Sequence, residues 1–84
     1  MAQTHNIEIT AMAFPDETPV AKGDTVVWTN RMSMQHTVTA DDGSFDSGLI
    51  DPNRSYERVF DRPGDYAYHC TPHPFMTGHV IVEP

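Results

Sequence analysis

An all-β sandwich with Greek-key connections is the fold this sequence predicts. Short segments rich in β-branched and aromatic residues recur along it, parted by turn-forming clusters at intervals of about 8–12 residues. Seven prolines and five glycines in 84 residues leave no window for a long amphipathic helix. A chain of this length has material for one modest core, so residues 1–84 are read as a single domain of about seven to eight short strands.

The elements follow in order. Residues 1–5 are expected to be a flexible terminus, with Asn6–Ile9 the first strand. Met12–Phe14 and Val20–Ala21 are shorter extended stretches on either side of the turn Pro15-Asp16-Glu17. Lys22-Gly23-Asp24 then turns the chain into Thr25–Asn30, where alternation puts Val26 and Trp28 on one face and makes Trp28 the core anchor. Gln35–Ala40 is the next strand, followed by the turn Asp41-Asp42-Gly43 and the short stretch Phe45–Ile50. Asp51-Pro52-Asn53 leads into Ser55–Phe60, with Tyr56, Arg58 and Phe60 on one side and Glu57 and Val59 on the other. Arg62-Pro63-Gly64-Asp65 opens Gly64–Cys70, and Gly78–Glu83 closes the fold with Val80 and Val82 facing together. At most one helical turn is expected, near Met32–Met34 or Pro52–Ser55.

Charge narrows the partners. Twelve acidic residues against five Lys and Arg give a formal net charge of −7, which argues against nucleic-acid binding, since phosphates need clustered cations. No run reaches the roughly 18 apolar residues of a membrane span. Met1–His5 has neither a basic nor an apolar region, so it does not read as a signal peptide. The one cysteine, Cys70, excludes an internal disulfide and a multi-cysteine zinc site.

The chemistry concentrates in Tyr68-His69-Cys70-Thr71-Pro72-His73-Pro74-Phe75-Met76. Cys70, His73 and Met76 recur at intervals of three, so a tightly curled loop aims a thiolate, an imidazole and a thioether at one point. Pro72 and Pro74 fix φ, remove two amide donors and bias their predecessors toward extended geometry. His36, in the expected strand Gln35–Ala40, supplies a second imidazole. Taken singly, these residues have plain roles: a buried small hydrophobe, a solvated loop histidine and a core filler. Together they match the preferences of copper, since thiolate and thioether suit Cu(I) and imidazole suits both oxidation states. Two histidines and a cysteine with a weak axial methionine form the blue-copper arrangement. Zinc could enter the same cage, although a thioether gives no reason to expect it. A cysteine-nucleophile enzyme is the poorer reading, because so short a chain has little from which to build a substrate cleft.

Cys70-Thr71-Pro72-His73-Pro74-Phe75-Met76 resembles the ligand loop of the amicyanin-like and plastocyanin-like blue copper proteins, the cupredoxin family. Gly23–Asn30, Phe45-Asp46-Ser47-Gly48, Pro63–Cys70 and Gly78–Glu83 resemble other segments of that family, so the likeness covers residues 6–83. It implies a Greek-key cupredoxin sandwich binding one copper ion (Cu2+/Cu+) through His36, Cys70, His73 and Met76. The implied activity is electron transfer between redox proteins, not enzymatic turnover, in the periplasm or another extracytoplasmic space. A basic c-type cytochrome, or a dehydrogenase or oxidase, is the implied partner of a monomer that forms transient complexes. A copper-binding or delivery module and an excised domain of a larger copper oxidase or reductase are the alternatives.

The residues around the expected ligands carry further expectations. Thr37 follows His36 where the family usually has an asparagine that ties this segment to the cysteine loop. A hydroxyl supplies fewer hydrogen bonds than an amide, so a weaker tie is expected. Gln35 stands where amicyanin-like chains have proline. Thr71 and Pro72 flank the cysteine, and Pro72 cannot donate a hydrogen bond to its sulfur. Pro72, Pro74, Phe75 and Met34, with Met32 beside them, are expected to collar the outer edge of His73. Acidic turns at Asp16-Glu17, Asp41-Asp42 and Asp61 are expected to steer a basic partner. His69 is expected to point away from the metal, since alternation sets it opposite to Cys70.

Overall fold

The computed structural model describes residues 1–84 and holds seven strands: β1 (Thr4–Ile9), β2 (Glu17–Ala21), β3 (Asp24–Asn30), β4 (Thr39–Ala40), β5 (Ser55–Phe60), β6 (Gly64–His69) and β7 (Thr77–Glu83). They form two sheets, one in the order β1-β3-β5 and the other β2-β7-β6-β4. β1 runs parallel to β3 and β2 parallel to β7, and the remaining pairs are antiparallel. Neighbours in space are therefore seldom neighbours in sequence, which is the mark of a Greek-key sandwich.

Alternation builds the interior. Val26 and Trp28 from β3 and Ile7 and Ile9 from β1 meet Val80 and Val82 from β7, Tyr68 from β6 and Val20 from β2. Trp28 is fully buried at the centre, and its indole N–H donates to the Tyr68 hydroxyl at 3.3 Å. Tyr68, Tyr56, Phe60 and Phe45 surround it with ring centroids 5.4–6.4 Å away, within the range of favourable aromatic contacts.

Several elements differ from the expectation, the first two below for a tertiary reason. β1 begins at Thr4 and not Asn6, because Thr4 and His5 pair with Thr25 and Val26, and the buried Asp24 carboxylate accepts from the Gln3 amide and bonds to His5. Residues 4 and 5 are therefore part of the sandwich. The expected strand Gln35–Ala40 shrinks to Thr39–Ala40, since the chain before it bends to meet the loop at Ile50. Met12–Phe14 forms no strand, and Phe45–Ile50 contributes only isolated bridges at Asp46 and Ile50.

Candidate metal centre

The site forms where β6 turns into β7. Strand β6 ends at His69, and the next seven residues, Cys70–Met76, cross to β7. The loop is short enough to close on itself: the Cys70 amide donates to the Met76 carbonyl at 3.0 Å, and the Met76 amide to the His73 carbonyl at 2.9 Å. Two prolines with fixed φ leave it few other shapes.

Pairing of β4 with β6 brings the second stretch alongside. Thr39 lies opposite His69, so continuing that antiparallel register sets Thr37 opposite Thr71 and His36 just beyond the cysteine. The main chain of His36 is held by reciprocal bonds with Ile50, at 3.3 Å and 2.7 Å. Asn30, buried at the end of β3, anchors both approaches to His36. Its amide donates to the carbonyls of Met34 at 2.7 Å and Ile50 at 2.9 Å, and its oxygen accepts from the Met32 amide at 2.9 Å. Sequence reasoning passed over Asn30 as a strand residue. Its one local signal was an Asx-turn geometry toward Met32.

Three donors converge. Cys70 Sγ lies 3.7 Å from His36 Nδ1 and 3.6 Å from His73 Nδ1, and the three side chains are close enough together to hold one ion. Cys70 and His36 are buried, and His73 is half-buried. A sulfur and a nitrogen bound to one ion at about 2.0–2.3 Å, and about 110–120° apart around it, stand roughly 3.5–3.7 Å from each other. Both separations match. One ion at their centre would satisfy the sulfur and both Nδ1 atoms at once, which suits a buried cluster of these donors. Burial, and then the nearby His73, lower the pKa of His36, which favours the neutral form that a metal needs. Met76, the fourth expected ligand, is buried within the same loop.

The sulfur is also hydrogen-bonded by the protein. The Thr37 amide donates to Cys70 Sγ at 3.4 Å. The Thr37 hydroxyl accepts from the Thr71 amide at 2.8 Å, so threonine makes the tie between the two segments that was expected to be weak. It does so because the β4–β6 register already holds the two backbones side by side. A short side chain then suffices.

Around the rim, Phe75 is 68% and Met34 42% exposed, whereas Met32 turns in against the core. The Phe75 ring meets the His73 ring edge-on at 6.2 Å. His69 points away from the centre and pairs with Asp41 at 2.6 Å. A cavity of about 440 Å³ lined by Ser44, Arg58, Phe60, Asp61, Arg62 and Tyr66 lies where β5 turns into β6, at the opposite end of the sandwich.

The family model for copper-binding proteins of the plastocyanin/azurin type matches residues 1–83. The chain belongs to that family. Copper is accordingly the ion its donor set is built for, and the cupredoxin sandwich is its fold. Amicyanin of Paracoccus denitrificans is 39% identical over 85 residues, covering 92% of this chain and 63% of that protein. Chloroplast plastocyanin of Tetradesmus obliquus is 34% identical, covering 87% of this chain and 60% of its own. The chain thus spans about three-fifths of the length of these relatives. A solved amicyanin variant in its Cu(I) form superposes with a TM-score of 0.88 at 36% identity, covering 95% of this chain and 82% of the other.

Proposed function

We propose that this cupredoxin is a type 1 copper electron carrier, whose ion would be held by His36, Cys70, His73 and Met76. The observation that carries the reading is the pair of Sγ–Nδ1 separations, 3.7 Å and 3.6 Å, in one largely buried cage. Bound there, copper supplies a one-electron couple between Cu(II) and Cu(I). The protein holds the donors still. The loop closure from Cys70 to Met76, the Thr37–Thr71 tie and the Asn30 anchor each fix a ligand-bearing segment from a different side. Little then moves when charge changes, which suits rapid transfer. With all four side chains on the ion no position would stay open for a substrate, so the centre would pass electrons and perform no bond chemistry.

His73 is the exit. Its half-buried ring stands beside exposed Phe75, and exposed Met34 adds apolar surface of the kind that brief electron-transfer encounters use. A net charge of −7 favours a basic redox partner, such as a c-type cytochrome or a basic face of a dehydrogenase or oxidase. The family likeness supports a periplasmic or other extracytoplasmic location.

The test is the visible spectrum after addition of Cu(II) to wild type and to Cys70→Ser. An intense blue band that is absent from the variant is the expected result. A colourless protein that retains zinc tightly overturns the reading. Steering is checked separately, by the association rate with a basic cytochrome, which should fall as ionic strength rises.

A further inference from the structure

A chain of hydroxyls runs from the ligand segments to a surface carboxylate. The Thr39 hydroxyl donates to Asp46 Oδ1 at 3.2 Å and also lies 2.9 Å from Thr37 Oγ1 and 3.2 Å from Thr71 Oγ1. A hydroxyl has one proton to give and two lone pairs to receive with, while a carboxylate oxygen only accepts. With its proton committed to Asp46, Thr39 must accept from both other hydroxyls. Thr37 therefore spends its own proton on Thr39 and turns its lone pairs elsewhere. One of them receives the Thr71 amide at 2.8 Å, in the residue next to Cys70. The Asp46 oxygen is itself placed by a second bond, from the Gly48 amide at 2.9 Å.

We infer that Thr39 and Asp46 are positioning residues of the metal centre, the carboxylate orienting three hydroxyls so that Thr37 clamps the His36 segment to the Cys70 loop. The purpose of the clamp rests on the copper reading of Cys70, but its existence does not. Neither residue approaches the donor atoms; both act through Thr37 and Thr71. The clamp also keeps the Thr37 amide on Cys70 Sγ, where it draws charge from the sulfur. Bonds that end on an ionised group are about twice as strong as neutral ones, so the terminal carboxylate polarises the whole chain.

The experiment compares wild type, Thr39→Val and Thr39→Ser as metal-free proteins, by amide exchange at Thr71 and by the alkylation rate of Cys70. Valine keeps the shape and removes the hydroxyl, so Thr71 exchange and Cys70 alkylation are each expected to rise about fivefold, while serine restores wild-type rates. Unchanged rates in the valine variant overturn the inference. So does a serine variant that behaves like valine, because the methyl group would then be what matters. An equal rise at the β3 amides overturns it as well, since the hydroxyl would then support the whole fold. Where valine prevents folding, Asp46→Asn carries the test, with a rise of about twofold expected and no rise overturning it. In the copper-loaded protein, Thr39→Val is expected to lower the reduction potential, and an unchanged potential overturns the link to the metal. The exchange and alkylation measurements need no metal, so a wild type that takes up copper without turning blue refutes the electron-carrier reading and leaves their result standing.

Discussion

The amide of Cys70 donates to the carbonyl of Met76 at 3.0 Å, so the two ends of the ligand loop hold each other through main-chain atoms. The shape of the loop is therefore independent of the side chain at 76. Met76→Leu conserves volume and is expected to cost less than about 1.5 kcal/mol in stability. In the copper-loaded protein it removes the thioether, a ligand that tunes the reduction potential of such centres, so the potential is expected to shift. Thermal unfolding and spectroelectrochemistry check the two halves. An unchanged potential would place the thioether out of contact with the ion.

The ligand loop was legible because its three donors lie within seven consecutive residues, and the spacing alone suggests a common target. The faces of β3, β5 and β7 were legible from period-two alternation. What escaped depends on partners distant in sequence. β1 begins early because Asp24, some twenty residues on, needs donors from Gln3 and His5. The segment before Thr39 leaves the sheet because His36 bonds to Ile50 and Val38 to Ser47. Thr37 looked like a loss relative to asparagine when judged by its own side chain. The compensation lies in the β4–β6 register, which puts Thr71 within reach of a hydroxyl, and no local pattern announces that.

Tyr68 joins the core to the hairpin that carries the ligands. Its ring and hydroxyl lie 2.8 Å from where a Cβ on Gly78 would sit, and the Pro15 carbonyl lies equally close. Gly78→Ala is expected to cost about 1–3 kcal/mol through overpacking, measured by denaturant unfolding. A cost near zero would mean that the Tyr68 ring can move aside.

Burial also pushes the Tyr68 hydroxyl up to about 12, from the usual 10.0. The unfolded chain gives up this proton first, so stability is expected to fall as pH rises above about 10. The loss grows to an order of 2–3 kcal/mol near pH 12. Tyr68→Phe should remove that alkaline dependence. It should also cost about 1–3 kcal/mol at neutral pH, because the Trp28 N–H then has no acceptor.

On the outer face of β7, the hydrogen bond that His79 Nδ1 donates to Asp65 Oδ1 at 2.7 Å raises the pKa of His79, with Asp65, Glu17 and Asp41 adding attraction. A raised histidine stabilises the fold below its unfolded value of 6.5, and the gain disappears as pH rises through the folded value. Asp65→Asn should therefore melt lower than wild type at pH 5.5, with the gap closing by pH 8. Melts at the two pH values decide it, and a gap that persists at pH 8 would assign the effect to something other than the charged pair.

Asp24 works in the opposite direction. Its side chain is 4% exposed, and the bond to His5 at 2.8 Å, then the amides of Gln3 and Ala21, hold its pKa at about 2. A carboxylate lowered in this way contributes stability that is fully present above its unfolded value of 3.8 and is lost as pH falls toward 2. Asp24→Asn removes the charge and turns a donor toward amides that need an acceptor, so β1 should lose its hold on the start of β3. The variant is expected to melt below wild type at neutral pH and to show a shallower loss of stability between pH 4 and pH 2. Amide exchange should locate the damage, rising at His5–Ile7 while the amides of the Cys70–Met76 loop keep their protection. If both regions open together, the amino-terminal strand supports the metal end of the sandwich as well as its own.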